Sequence, residues 1–207
     1  MVNPHAPSGT LYTVSEISKL ADAIPGVLLI DEAYADFIDP GLNYRSASLL
    51  ENHSNILILR TFSKGYSLAG LRLGYLLGSS DLIAPIVNKT RDSYNVGSIQ
   101  QKVGIAAIKD QDYAHSIWSR TRENRKLLQN HLDGLGLISP PSQSNFILAH
   151  VNNDIGLSAK ELYLTLKEMK IYVRHFDGPS LKDHLRITVG TQEQNEKLVK
   201  AIEQVIP

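Results

Sequence analysis

Two short apolar runs, Val27–Ile30 and Ile56–Leu59, constrain this chain more than any other feature. Neither alternates polar with apolar residues, so both read as strands buried on two faces, the pattern of parallel strands in an α/β layer. Each run ends abruptly in polar chemistry. The first passes straight into Asp31-Glu32-Ala33-Tyr34 and the second into Arg60-Thr61-Phe62-Ser63-Lys64. In open α/β sheets, ligands collect beyond the carboxyl ends of the strands. If the two strands are neighbours, Asp31, Tyr34 and Lys64 converge on one crevice.

The rest of the pattern supplies the layers around these strands. Four helix starts carry a hydroxyl residue followed three later by Glu or Gln, at Thr13–Glu16, Ser98–Gln101, Ser158–Glu161 and Thr191–Gln194. The first opens a helix with Ile17, Leu20 and Ile24 on one face, ended by Pro25-Gly26. The third leads into Leu162, Leu166 and Met169, and the last into Leu198, Ile202 and Val205, both at helical spacing. A long helical stretch runs from about Ser98 to Leu132, crowded with charge at Arg120–Lys126, and Trp118 on it is expected to pack between domains. Leu73–Leu77 predicts a third strand, and Phe146–His150, Ile171–Arg174 and Leu185–Val189 predict half-buried strands. With 207 residues there is room for one large or two small domains. The order predicts an α/β part over 1–97, a connecting long helix over 98–136 and a small α+β domain over 137–207, punctuated by Gly134-Leu135-Gly136 and Pro140-Pro141.

Composition narrows the function classes. Lys+Arg and Asp+Glu both number 21, so no net field draws nucleic acid or an anionic membrane. No basic cluster is interleaved with aromatics, and no apolar run approaches the length of a membrane span. Residues 1–10 have neither the charged start nor the apolar core of a signal peptide. Zero cysteines exclude disulfides and thiolate metal sites and fit a reducing cytoplasm. The histidines show no ligand-like spacing, so no metal is expected. The glycines from Gly65 to Gly74 do not form a P-loop, because no Gly-Lys-Ser/Thr follows a spaced glycine. A soluble cytoplasmic protein acting on small molecules is the expectation.

Taken alone, a lysine beyond a strand is most often solvated, and Asp31 could simply cap a loop. The coincidence of groups is more specific. Pyridoxal phosphate needs a lysine for its aldehyde, a carboxylate at its ring nitrogen, and polar partners for its phosphate and phenolic oxygen. All are present at consecutive strand ends. Four segments also occur in one order: Asn3-Pro4-His5-Ala6-Pro7-Ser8-Gly9, Asp31-Glu32-Ala33-Tyr34, Ser63-Lys64 through Arg72, and Leu185-Arg186-Ile187-Thr188-Val189-Gly190-Thr191. Together they resemble the motifs of the fold-type I, class I/II aminotransferases, and most closely the histidinol-phosphate aminotransferase branch. The resemblance runs from Asn3 to the last helix. His5 stands where the family commonly has Asn, and Ala6 also departs from its pattern.

The resemblance implies a role for each matching position. Lys64 would hold the cofactor as an imine and then move the proton between the substrate's α-carbon and the cofactor's C4′. Asp31 would pair with the pyridinium nitrogen, and Tyr34 and Asn3 would hydrogen-bond the phenolic oxygen. Ser63 and Arg72, with Thr61, would bind the phosphate, for which the planar guanidinium fork is suited. Arg174 and Arg186 lie on adjacent predicted strands, and two guanidiniums on one cleft favour a doubly charged or phosphorylated substrate. The resemblance puts Arg186 on the substrate's carboxylate or phosphate.

The implied reaction is transamination of histidinol phosphate with 2-oxoglutarate, giving imidazole acetol phosphate and glutamate. A related decarboxylase of a phosphorylated amino acid, or an inactive remnant kept for binding or oligomerisation, would retain many of the same residues. The family's large domain begins well before the Asn-Pro segment. That earlier part normally holds a glycine-containing phosphate loop, an aromatic stacked on the cofactor ring, the first strands, and a tyrosine that reaches the neighbouring subunit's site. Without it, the sheet is expected to be short of strands and to expose an apolar edge or face. The chain is therefore expected to form a homodimer, to swap elements, or to be a fragment of a longer protein.

Overall fold

The two apolar runs become neighbours. In the computed structural model of the chain, which describes residues 1–206, β1 (Leu28–Asp31) and β2 (Ile56–Thr61) pair in parallel, with Leu28 opposite Ile56 and Asp31 opposite Leu59. The third strand, β3 (Gly74–Gly78), returns antiparallel along β2. Residues 1–3 lie along the outer edge of β1, where the Asp31 N–H donates to the Met1 carbonyl at 2.8 Å and the Asn3 N–H to the Asp31 carbonyl at 2.8 Å. This sheet belongs to a first unit made of Met1–His5 and Leu11–Trp118; Ala6–Thr10 and the chain from Ser119 on make a second.

One face of the first sheet is well covered. Helix α1 (Val14–Ala23) and the single turn α2 (Leu49–Asn52) bring Ile17, Ala21 and Leu49 against Leu28, Ile30, Ile56 and Ile58. Burying each of the larger side chains contributes roughly 1.5–3 kcal/mol. The inner stripe of α1 is Ile17 and Ala21, four apart, and Leu20 stays exposed. The other face departs from the expectation of strands buried on both sides. Val27 is 50% exposed, Leu29 44% and Leu59 36%. An uninterrupted apolar run marks two faces as apolar; here only one of them has a full layer to meet.

Helix α3 (Ser80–Pro85) follows β3. The long helix expected from Ser98 to Leu132 is two helices, α4 (Ser98–Lys109) and α5 (Gln111–Gly134), because Asp110 leaves helical geometry at φ −92°, ψ 65°. Its carboxylate accepts the Tyr113 N–H at 3.3 Å, so the break supplies a cap for α5. The capping box expected at Ser98 does not form: Gly97 is the N-cap, and the Gln101 amide donates to the Val96 carbonyl at 2.9 Å. The boxes at Thr13 and, in the second unit, at Ser158 and Thr191 do form. The two units part within α5, after Trp118.

The second unit is an antiparallel sheet with helices on one side. Its strands are β4 (Leu137–Ile138), β5 (Phe146–Val151), β6 (Arg174–His175) and β7 (His184–Thr188), in the order β4-β5-β7-β6. Helix α6 (Ala159–Glu168) connects β5 to β6, and α7 (Gln192–Val205) follows β7. Ile147, Ala149, Leu185 and Ile187 meet Leu162 and Leu166 of α6, Leu198 and Ile202 of α7, and Leu128 and Leu132 of α5. The strand expected over Ile171–Arg174 is confined to Arg174–His175, and the two-residue β4 was not foreseen. Arg125, inside the charged stretch of α5, is buried and donates to the Ser144 carbonyl at 2.8 Å. No helix among the described residues is long and apolar enough to cross a membrane.

Candidate functional site

Both parallel strands end in turns that their own hydrogen bonds close. After β1, the Asp31 carboxylate accepts the Ala33 N–H at 3.1 Å, and the Glu32 N–H donates to the Leu59 carbonyl at 2.9 Å, which carries the pairing one residue further. Tyr34 stands just before a single 3₁₀ turn, Ala35–Phe37. After β2, the Thr61 hydroxyl accepts the Ser63 N–H at 3.0 Å. The Ser67 N–H then donates to the Lys64 carbonyl at 3.0 Å and the Leu68 N–H to the Phe62 carbonyl at 3.1 Å. Lys64 thus opens a closed turn at the strand end. Its ammonium lies 5.8 Å from the centre of the Tyr34 ring, within cation–π range.

Asp31, Tyr34, Thr61, Ser63 and Lys64 therefore gather at one end of the β1–β2 pair. The chain returns to that end at Leu73, whose carbonyl accepts both the Phe62 N–H at 3.0 Å and the Thr61 hydroxyl at 3.3 Å. Arg72 is the residue before it. It is exposed, donates to the Ala69 carbonyl at 3.1 Å, and holds a left-handed backbone at φ 53°. Ser67 is left-handed too, at φ 57°. Non-glycine residues in this region are uncommon and cost of order 1 kcal/mol, so the turn needs outside support.

Asn3 takes a different place from the one expected of a ligand to a phenolic oxygen. It is fully buried, its amide donates to the Tyr12 carbonyl at 3.0 Å and the Tyr44 hydroxyl at 2.9 Å, and its oxygen accepts the Tyr12 N–H at 2.8 Å. Both amide hydrogens are taken inside the fold, so Asn3 is a strut. Gly9, from the same motif, has φ 77° and sits so close to Ser142 in the second unit that a Cβ there would collide with it. Trp118 lies in the first unit and donates its indole N–H to the Gly65 carbonyl at 2.8 Å.

Beneath the crevice lies a charged group that sequence reading passed over. Glu32 is 1% exposed; one of its oxygens pairs with the Arg60 Nε at 2.6 Å and the other accepts the Tyr44 hydroxyl at 2.6 Å. Asp36 stands 3.9 Å from the same guanidinium. Burial pushes the Asp36 carboxyl up to about 6, with the Arg60 charge opposing and the Glu32 charge adding to the rise. Burial, then the Glu32 charge, also raise the Tyr44 phenol, so it stays neutral and a donor. For Arg60, burial alone would favour the neutral form; the Glu32 carboxylate overrides it and the net shift is upward. A signal for this pair was present. Glu32 and Arg60 each lie just beyond an apolar run, and the observed register, with Asp31 opposite Leu59, brings them side by side when carried one residue further.

In the second unit, Arg174 of β6 and Arg186 of β7 are direct cross-strand partners. Their guanidiniums lie over the rings of Phe176 and Phe146, at 5.6 and 5.2 Å. Like charges directly opposite one another destabilise a sheet.

The family model for aminotransferases of class I and II matches residues 1–202. This chain belongs to the class I and II aminotransferase family. Histidinol-phosphate aminotransferase 1 of Nostoc sp. is 41% identical over 206 residues, covering 100% of this chain and 56% of the relative. The crystal structure of histidinol-phosphate aminotransferase from Sinorhizobium meliloti in complex with pyridoxal-5′-phosphate superposes with a TM-score of 0.88 at 27% identity, over 100% of this chain and 56% of that one. L-threonine-O-3-phosphate decarboxylase from Porphyromonas gingivalis, at 23% identity and a TM-score of 0.80 over 99% of this chain and 62% of its own, shares the fold. This member of the family has the α/β fold implied by the resemblance and spans little more than half the length of these relatives.

Proposed function

We propose that the chain supplies the lysine-bearing part of a pyridoxal-phosphate aminotransferase whose amino substrate is phosphorylated, with histidinol phosphate the donor and 2-oxoglutarate the acceptor. One observation carries the reading: Lys64 opens a closed turn at the end of β2, beside Tyr34 and across from the end of β1 that bears Asp31. The donor set fits the cofactor. An amine, a carboxylate, a phenol, and a guanidinium with two hydroxyls are the groups that an aldehyde, a ring nitrogen, a phenolic oxygen and a phosphate require. Asn3 is left out of that set because its amide hydrogens are already bonded.

When bound, the cofactor supplies an aldehyde for the substrate's nitrogen and a ring that accepts electrons from the α-carbon. The chain's own residues then divide the remaining work. Lys64 holds the aldehyde end, and its amine carries a proton to or from the α-carbon, a task for a base placed within reach. Asp31 keeps a proton on the ring nitrogen. Tyr34 orients the phenolic oxygen, and Thr61, Ser63 and Arg72 hold the phosphate. The Arg174–Arg186 pair recognises the substrate's anionic end, and the name of the 41%-identical relative supports phosphate there. A cytoplasmic homodimer is the working form, given the open apolar face around Leu29 and the absence of cysteine.

The test is reductive trapping. The chain is mixed with pyridoxal phosphate, reduced with borohydride and mapped by peptide mass. One adduct on Lys64, absent from Lys64→Ala, is the expected result; adducts spread over other lysines, or undiminished in Lys64→Ala, overturn the reading. Histidinol phosphate added before the reductant should divert the adduct from Lys64, and histidinol lacking the phosphate should need a higher concentration. Histidinol phosphate has no carboxylate to lose, so the decarboxylase chemistry is tested with a phosphorylated α-amino acid in its place: release of carbon dioxide without glutamate formation from 2-oxoglutarate would assign it.

A further inference from the structure

Gly65, the residue after Lys64, is gripped from two sides. On one side the Trp118 indole N–H donates to its carbonyl at 2.8 Å. On the other the Asp36 side chain fills the space in which a Cβ would stand. Trp118 is itself held. Its ring meets Tyr66 edge-on at 5.5 Å and His115 at 5.0 Å, Tyr66 meets Phe62 at 5.0 Å, and Phe62 meets Tyr75 of β3 at 5.8 Å. The Gln111 amide, about two turns back along α5, donates to the Tyr66 hydroxyl at 3.3 Å. Any large ring could fill such a position by packing, but the N–H is directional, and it is aimed at one backbone atom.

The turn that Trp118 touches is one that needs holding. It includes left-handed Ser67, and the Ser67 and Leu68 N–H groups close it onto the Lys64 and Phe62 carbonyls. A lysine on a loose turn spreads its amine over many positions, and reaction rates fall steeply when a reacting group is misplaced by even an ångström.

We propose that Trp118, opposed by Asp36, is a positioning residue for Lys64: by fixing the Gly65 carbonyl it holds the turn that presents the lysine amine beside Tyr34. The importance of the clamp rests on the reading of Lys64 as the cofactor lysine, while its geometry can be tested in the chain alone.

Trp118→Phe keeps a ring and removes the donor. Amide hydrogen exchange of the Ser67 and Leu68 N–H groups then reports opening of the turn. The loss of one neutral hydrogen bond should speed their exchange about 3- to 10-fold, with amides inside β2 unchanged. Unchanged exchange at Ser67 and Leu68, or equal acceleration throughout β2, overturns the clamp. Asp36→Ala frees Gly65 from the other side and should give the same local acceleration, which keeps the test open if Trp118→Phe does not fold. Trapping with pyridoxal phosphate and borohydride adds a second readout, in which Trp118→Phe should slow adduct formation on Lys64 by a similar factor. An unsubstituted chain that forms no adduct on Lys64 overturns the proposed function, and the exchange rates alone then decide the clamp.

Discussion

Glu32 organises the carboxyl ends of β1 and β2 more than any of the residues that face outward there. Its two oxygens are both bonded, to Arg60 and Tyr44, and leave the nearby Asp36 with a share of one guanidinium and little water. The consequence is a carboxyl raised from 3.8 to about 6, chiefly by burial. The sign follows from proton counting. Between those two values the folded chain binds more protons at Asp36 than the unfolded chain does, so stability falls as pH rises. The contribution is whole below about pH 4 and is lost as pH passes 6. Asp36→Asn, which keeps the shape and cannot ionise, should leave stability unchanged at pH 4 and raise it at pH 8. At 1.36 kcal/mol per pH unit the two-unit rise sets an upper bound of about 3 kcal/mol. Urea unfolding followed by the fluorescence of Trp118, the chain's only tryptophan, measures it in the first unit. A gain of equal size at both pH values would show that the charge is not responsible. At the residue scale this charged group was missed, whereas the placement of Asp31 and Lys64 at neighbouring strand ends was readable from the polar ends of two apolar runs. The bonds of the Asn3 amide to Tyr12 and Tyr44 were not legible, because a motif match carries no information on which hydrogens the fold has already taken.

The helices show what a sequence pattern can and cannot locate. Thr13, Ser158 and Thr191 each have the hydroxyl at the N-cap and the Glu or Gln reaching back, and the same spacing at Ser98 gives nothing of the kind. The difference is one residue of chain direction. Gly97 has the extended φ −67°, ψ 157° of an N-cap, so Ser98 is already helical and Gln101 turns instead to Val96. Removing the Thr191 hydroxyl with Ala should therefore cost about 1 kcal/mol of stability, whereas Ser98→Ala should stay within about 0.5 kcal/mol. Denaturant unfolding followed by helical circular dichroism distinguishes them, and equal losses would return Ser98 to the role of a cap. The same limit explains Asp110 and Arg125. An aspartate within a periodic apolar pattern does not announce that its backbone breaks the helix, and an arginine amid charge does not announce that it is the buried one, bonded to Ser144.

At the scale of the whole chain, an apolar run shows what must be covered without showing what covers it. Val27–Ile30 was readable as buried on two sides, yet Leu28 and Ile30 meet α1 while Val27 and Leu29 stand open, with Leu59 beside them on β2. Large side chains left in water forgo roughly 1.5–3 kcal/mol each, so two such faces gain by meeting. In a two-fold dimer the same residue appears on both sides, and every substitution counts twice. Leu29→Lys places a charge at the centre of the open face, and because the side chain is 44% exposed the unit's own core is little disturbed. Circular dichroism and the unfolding midpoint should therefore stay near those of the parent chain. Association should weaken: sedimentation equilibrium over a concentration series should show a self-dissociation constant at least about tenfold larger, the equivalent of only 1.4 kcal/mol spread over two copies. Equal association of the parent and Leu29→Lys chains would show that copies meet elsewhere and would leave this face to whatever else in the full-length relatives lies over it.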